Sequence, residues 1–281
     1  MKELTVLVLM FCLAGCGGDD AALDDTPVGE LIFTINGEDF ARDGFVSEDG
    51  WEITFEHVYV NISGVTAFQV VETELSPLYL YHAGHPHAEI PEGSAHEALT
   101  GEFFVDVHQG DGPTSLGSVL DAPIGNYNRL NFNLDPATAT SRDLVADHLD
   151  QTIVLIGTAR KEDQTLTFTI RFNEPLHFIA CGPHPEAIGV LAEGATARAE
   201  ATLHFDHIFG DIDEGPADTT DSDKVNAVAI GFGPFASSAI GDEIDLFQAD
   251  MEDMPEYEDL MSALATLGHT GEAHCHLDSS L

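Results

Sequence analysis

Basic residues are scarce in this sequence. Its 281 residues include 9 Lys and Arg against 50 Asp and Glu, which gives a formal net charge of −41. A nucleic-acid-binding protein needs a basic surface that displaces the counterions of the phosphates, so the composition excludes that function. It also argues against electrostatic docking on anionic lipid. The hydrophobic fraction of 43% is close to that of globular proteins, so the chain is not a disordered acidic tail.

Long apolar segments are lacking as well. The run from Leu4 to Leu13 has ten residues, which is too short to span a bilayer as a helix. It follows Lys2 and ends in Leu13-Ala14-Gly15-Cys16, which resembles the lipobox of bacterial lipoproteins. We therefore expect residues 1–15 to be a lipoprotein signal peptide that is removed once the Cys16 thiol has been acylated. The alternative is an ordinary cleaved signal with an incidental cysteine.

Lipidation at Cys16 implies a location and a partner. Several acyl chains make a stable membrane anchor where a single chain is marginal. Residues 16–29 lack periodicity and are rich in Gly, Asp and Ala, so we expect a flexible tether. Gly17 rather than Asp follows the cysteine, which resembles outer-membrane sorting in Gram-negative bacteria. The expected location is the bacterial cell envelope, on the periplasmic or the surface face of the outer membrane, and no protein partner is indicated.

Cysteine is also rare, with four residues in the chain. Cys12 leaves with the signal peptide and Cys16 is lipidated, so Cys181 and Cys275 remain in an oxidising compartment. We expect a disulfide between them. It would close a loop of 94 residues and constrain the unfolded chain by about 4–5 kcal/mol. The alternative is that Cys275, which lies between two histidines, is a thiolate metal ligand.

Catalytic motifs are absent from the sequence. There is no Gly-Xaa-Ser-Xaa-Gly elbow, no His-Glu-Xaa-Xaa-His helix and no phosphate-binding glycine loop. The abundant carboxylates are compatible with glycoside hydrolysis, but Trp51 is the only tryptophan available for stacking on a sugar. An enzyme, and specifically a hydrolase, is therefore the second alternative to the function considered below. The first alternative is a metal-free surface adhesin or assembly module, whose acidic surface confers solubility in salt.

Strand patterns dominate residues 30–210, which we expect to form one domain. Alternating apolar and polar residues in the segment 51–60 are typical of a half-buried strand. Its expected inward residues are Trp51, Ile53, Phe55, His57 and Tyr59. Residues 197–209 show the same alternation, with His207 directed inward and His204 outward. Many short strands separated by Gly- and Asp-rich turns predict an all-β fold, an antiparallel Greek-key β-sandwich.

Residues 211–281 have a different character and are expected to pack on the sandwich. Residues 211–223 predict an irregular acidic loop. The loop does not fit the EF-hand spacing, because Gly215 comes too early and Ser222 occupies the twelfth position, so we do not expect calcium. Residues 254–267 carry an apolar stripe at helical spacing, which predicts a C-terminal helix.

Histidine is abundant, with 14 residues. One group lies around Pro86, a second in residues 204–207, and a third in residues 268–276, where His269 and Glu272 accompany two further histidines. Neutral imidazoles are good ligands for zinc and copper(II), so the sequence predicts a copper or zinc site. The expected metal ligands are His57, His82, His85, His87, His204, His207, His274 and His276. For the group around Pro86 the alternative is a solvated loop, and for residues 204–207 it is a hydrogen-bonded core histidine. For residues 268–276 it is a tail with incidental histidines.

A turn followed by a strand carries a family resemblance. The segment Asp121-Ala122-Pro123-Ile124-Gly125-Asn126-Tyr127, with Leu130 and Phe132 after it, resembles a Pro-Ala-Gly-Xaa-Tyr turn of uncharacterised bacterial periplasmic β-sandwich lipoproteins. Ile124 stands where the family has Ala. The resemblance covers residues 30–135 or so and implies the fold. The family includes copper-associated members, but the turn itself carries no ligand and so implies no function.

Overall fold

The computed structural model describes residues 26–71, 80–82, 85–87, 90–183, 189–214, 226, 228–271 and 273–278. At residues 80–82 and 85–87 only the backbone is described. Of the described residues, 49% are in strands and 15% in helices, which confirms the predicted all-β class. No helix within these ranges is long and apolar enough to cross a membrane.

Eighteen strands and five α-helices alternate along the described chain. In order they are β1 (Val28–Asn36), α1 (Glu38–Asp43), β2 (Phe45–Val46), β3 (Glu52–Gln69), β4 (Leu80–His82), β5 (His85–His87), β6 (Ala95–Ala98), β7 (Glu102–Asp106), β8 (Thr114–Pro123), β9 (Gly125–Leu134), β10 (Ile153–Lys161), β11 (Gln164–Phe172), β12 (Leu176–Cys181), β13 (Val190–Leu191), β14 (Thr196–Leu203), α2 (Asp206–Phe209), α3 (Gly233–Ala236), β15 (Glu243–Phe247), α4 (Gln248–Met251), α5 (Tyr257–Leu264), β16 (Gly268–Thr270), β17 (Ala273–His274) and β18 (His276–Leu277). Short 3₁₀ turns occupy Ala146–His148 and Ile212–Glu214.

Two sheets form the sandwich. The smaller has the order β17-β16-β14-β1-β8, and the main path of the larger is β15-β11-β10-β3-β9-β12-β18. The core lies between them, with fully buried rings such as Phe33 of β1 and Phe132 of β9. Most pairings are antiparallel, as predicted, but β1 pairs with β14 and β11 pairs with β15 in parallel. The predicted β-sandwich with a C-terminal helix is thus confirmed, with two parallel pairs added.

A β-bulge in β3 reverses the predicted inward face. In the pairing with β10, Gly157 opposes Phe55 and Ile156 opposes His57, so Glu56 is an extra residue in β3. One extra residue exchanges the two faces of a strand. Val58 is accordingly buried, whereas the His57 side chain is 41% exposed. The prediction that His57 and Tyr59 continue the inward row is therefore wrong.

The predicted strand 197–209 ends earlier than expected. β14 stops at Leu203, and the chain turns into the short helix α2. Alternation no longer applies beyond that point, so His204 and His207 are both buried. The prediction that His204 faces outward is wrong for this reason.

The C-terminal segment belongs to the same body as the sandwich. α5 lies within the predicted helix, buries Leu260 and Leu264, and packs on α2. β16 then joins the smaller sheet and β18 pairs with β12. The expected disulfide between Cys181 and Cys275 is present. The signal peptide, Cys16, most of the tether and most of the acidic loop lie outside the described residues.

Candidate metal centre

Three histidines meet where β14 ends. His204 follows β14, His207 lies in α2, and His269 lies in β16. The antiparallel register of β14 and β16 pairs Leu203 with Gly268, and the His204 N–H donates to the Leu267 carbonyl at 3.1 Å. Residues three apart on a helical turn share one face, so the turn that follows β14 brings the first two rings together. The sheet pairing supplies the third ring.

The ring positions allow one ion to be shared. The His204 and His269 rings are stacked with centroids 4.0 Å apart, and the His207 ring is 5.5 Å from the first and 5.1 Å from the second. One ligand atom from each residue lies within 4.8 Å of the other two. Two atoms bound tetrahedrally to one zinc at 2.0–2.1 Å are about 3.3–3.4 Å apart, so binding brings these ligand atoms closer together by up to about 1.4 Å. These three side chains can hold a metal ion.

Burial keeps the three rings neutral. Their residues are 6%, 4% and 2% exposed in chain order. Loss of water lowers the pKa of His204 to about 4, with a further contribution from His274. Loss of water and the neighbouring His204 lower the pKa of His207 to about 3. The same two causes hold the pKa of His269 far below its usual range. Neutral imidazole is the form that binds a metal, so no proton must leave at pH 7.

Hydrogen bonds orient two of the rings through one threonine. His269 Nε2–H donates to the Thr266 carbonyl at 3.1 Å, which leaves the lone pair on Nδ1, a buried atom with no hydrogen-bond partner. His207 Nδ1–H donates to Thr266 Oγ1 at 2.9 Å, because that hydroxyl already donates to the Ala263 carbonyl at 2.8 Å. The lone pair of His207 is therefore on Nε2.

The third ring also has a nitrogen without a partner. His204 Nε2 is buried and makes no hydrogen bond. Two of the three imidazoles, His207 and His269, thus donate one N–H to the protein and keep the other nitrogen for a ligand. Histidines that bind metals have this arrangement, because the second hydrogen bond fixes the tautomer and the ring orientation.

A partly exposed histidine and a glutamate border the three rings. His274 of β17 is paired with His269 in the sheet, and the two ring centroids are 4.2 Å apart. Its ring is 6.1 Å from that of His207. On the other side, Glu38 Oε2 lies 3.4 Å from His204 Nε2. The distance between these two atoms is short enough for an ion pair, but the contact does not have the geometry of a hydrogen bond.

A close backbone contact positions β16. A Cβ on Gly268 would overlap the buried ring of Phe178 in β12. Glycine is therefore the residue that lets β16 lie against β12 while it carries His269 into the cluster. The disulfide between Cys181 and Cys275 ties the following residues to the same strand.

The predicted ligands divide into several sets. His204, His207 and His274 are brought together, and they are joined by His269, which the sequence analysis noted in the tail but did not include among the expected ligands. His57 instead pairs with Asp106 at 2.7 Å and stacks on Tyr59.

The remaining predicted ligands lie elsewhere in the chain. His276 lies in β18 and is paired with Ile179 of β12. The backbone of the β4–β5 hairpin pairs His82 with His85, and the side chains of these two residues and of His87 lie outside the described part of the chain. Cys275 is bonded to Cys181, so the alternative of a thiolate ligand is wrong.

Fold and site together define a β-sandwich protein with a buried three-histidine centre at the end of one sheet. Comparisons with protein-family models, with curated proteins and with solved structures found no match.

Proposed function

We propose that this protein binds one transition-metal ion, zinc or copper, at His204, His207 and His269. The observation that carries the proposal is that three buried and neutral imidazoles converge, two of which donate one N–H to the protein. Burying such groups without a ligand costs free energy, because His204 Nε2 and His269 Nδ1 are buried and have no hydrogen-bond partner. A metal ion supplies the missing interaction at both of them.

The burial of the rings favours holding a metal over reacting with a substrate. A catalytic metal keeps an open coordination position for water or substrate, whereas a structural or carrier site is closed. The three residues are at most 6% exposed, which supports a closed site. The proposal also includes a lipid anchor at Cys16 and a position in the bacterial cell envelope, both of which are supported by the sequence motif.

The experiment uses the untagged protein from residue 17, with its disulfide intact and all metal removed by a chelator. Zinc and copper(II) are titrated separately in about 0.15 M salt, which screens weak binding by the acidic surface. One equivalent is expected to bind with a dissociation constant below about 10 µM. At a free-metal concentration 100 times that constant, stability rises by about 2.7 kcal/mol and Tm by about 5–10 °C.

Matched variants localise the binding. His207→Gln removes one proposed ligand and is expected to abolish the rise in Tm. His57→Gln removes a histidine that lies in the larger sheet and pairs with Asp106. This variant should respond to metal like the wild type. The proposal is wrong if neither metal binds below about 10 µM, or if the two variants lose the response equally.

A further inference from the structure

Glu38 reaches the metal centre because of the parallel strand pair. β1 and β14 run side by side in the same direction, and their register pairs Asn36 with Thr202. The carboxyl ends of parallel strands meet at one edge of a sheet. Glu38 and His204 each follow two residues after that pair, so the chain places them next to each other beyond the edge.

The backbone holds Glu38 in an unusual conformation. Its φ angle is 57°, in the left-handed region that a residue with a side chain rarely adopts. Asn36 Oδ1 stabilises this turn by accepting hydrogen bonds from the Glu38 N–H and from Arg42, both at 2.9 Å. Conformations of this kind are strained and are concentrated at functional sites. The turn fixes the position of the Glu38 carboxylate beside His204.

The two facing atoms do not form a hydrogen bond. Glu38 Oε2 lies 3.4 Å from His204 Nε2, which is buried and makes no hydrogen bond. When Nε2 carries its lone pair, as metal binding requires, the two acceptors repel each other unless a cation lies between them. Two ligands bound tetrahedrally to one zinc at 2.0–2.1 Å are about 3.3–3.4 Å apart. The observed separation equals that value.

We propose that Glu38 is the fourth, anionic ligand of the metal, and that the site therefore selects a divalent ion, Zn²⁺ or Cu²⁺, over Cu⁺. This inference rests on the proposed function and names the ligand class of the same site. A carboxylate oxygen is a hard ligand, whereas thiolate and thioether sulfur select Cu⁺. Cys275, which directly follows His274, is held in a disulfide and offers no thiolate.

The test compares two charge-neutral substitutions. Glu38→Gln keeps the shape of the side chain and removes the charge. Glu258→Gln makes the same chemical change at an exposed position of α5, the helix that packs on α2. Zinc and copper(II) affinities are measured by competition with chelators, and Cu⁺ affinity by competition with a Cu⁺-specific chromophoric ligand under reducing-agent-free anaerobic conditions. Glu38→Gln should weaken both divalent ions at least 10- to 100-fold and leave Cu⁺ within about threefold, and Glu258→Gln should match the wild type.

The outcomes separate this inference from the proposed function. If the wild type binds no metal, the proposed function fails and the role of Glu38 fails with it. If the wild type binds and Glu38→Gln binds zinc equally well, or loses Cu⁺ as much as zinc, only the present inference is overturned. Should Glu38→Gln not fold, Glu38→Asn takes its place, since asparagine tolerates the left-handed backbone but is too short to reach the metal.

X-ray absorption of the zinc-loaded wild type supplies an independent ligand count. Three imidazoles and one oxygen support Glu38. Four imidazoles overturn it and assign the fourth position to His274.

Discussion

The buried histidines should make the metal-free fold sensitive to mild acid. In the folded chain the pKa of His204 is about 4 and that of His207 about 3, while the usual value is 6.5. His269 is shifted in the same direction. Between pH 7.5 and 5.5 the unfolded chain therefore binds protons that the folded chain does not. The free energy of unfolding falls as pH falls through the usual value, and continues to fall until the folded-state pKa is reached.

The magnitude follows from these pKa values. A histidine with a pKa of 6.5 when unfolded and no protonation when folded loses about 1.4 kcal/mol of stability between pH 7.5 and 5.5. Three such residues lose about 4 kcal/mol together, a large share of the 5–15 kcal/mol that stabilises an ordinary domain. The many carboxylates also titrate toward the acidic end, but they do so alike in the wild type and in a histidine variant. The informative quantity is thus the difference between the two.

The assay is urea unfolding at pH 7.5, 6.5 and 5.5 in the presence of a chelator. His207→Gln should reduce the loss of stability over this range by about 1.4 kcal/mol relative to the wild type. His96→Gln is the matched control, because the His96 side chain is exposed and keeps its water on folding. If His207→Gln and the wild type lose the same stability between pH 7.5 and 5.5, the cluster is not buried and neutral, and the account of the site given above is wrong.

Two further predictions test how the tail positions the site. Replacing both Cys181 and Cys275 with serine opens a loop of 94 residues. The free energy of unfolding, measured in urea with the reduced wild type as control, should fall by about 4–5 kcal/mol. A loss below about 1 kcal/mol would contradict the loop-entropy argument. Gly268→Ala should displace β16, because the new methyl group overlaps a buried ring. It should therefore weaken zinc binding at His269 more than Gly112→Ala, where the added methyl group has open space. Equal zinc affinity in the two variants would show that β16 does not depend on that contact.

The strands were predictable from the sequence because alternation reports burial directly. The predicted inward face of the segment 51–60 was correct up to Phe55. After Phe55, the bulge at Glu56 exchanged the inward and outward faces of the strand. A bulge is set by the partner strand, here at Gly157, whose missing side chain lets the backbone of β3 come close. Local alternation carries no information about that partner. The prediction that His57 faces inward was wrong for this reason.

The site was predictable only in part, and the limit lies in strand pairing. His204 and His207 are close in sequence, so their association needs one turn of helix. His269 and Glu38 join them only because β14 pairs with β16 on one side and with β1 on the other. A Gly directly before His269 was a usable signal, since glycine permits the close approach of a neighbouring strand. No comparable signal preceded the parallel pairing of β1 with β14.

The parallel pair explains why the candidate metal centre lies at this end of the sandwich. In an antiparallel pair, one strand ends where its neighbour begins, so the segments that leave the sheet go to opposite ends. β1 and β14 end at the same edge of the sheet, and each is followed there by a short helix, α1 or α2. The tail then adds β16, which is fixed by the disulfide. The centre is thus assembled from three segments far apart in sequence, and metal binding should stabilise the complete fold over any partly unfolded form, because only the complete fold brings the ligands together.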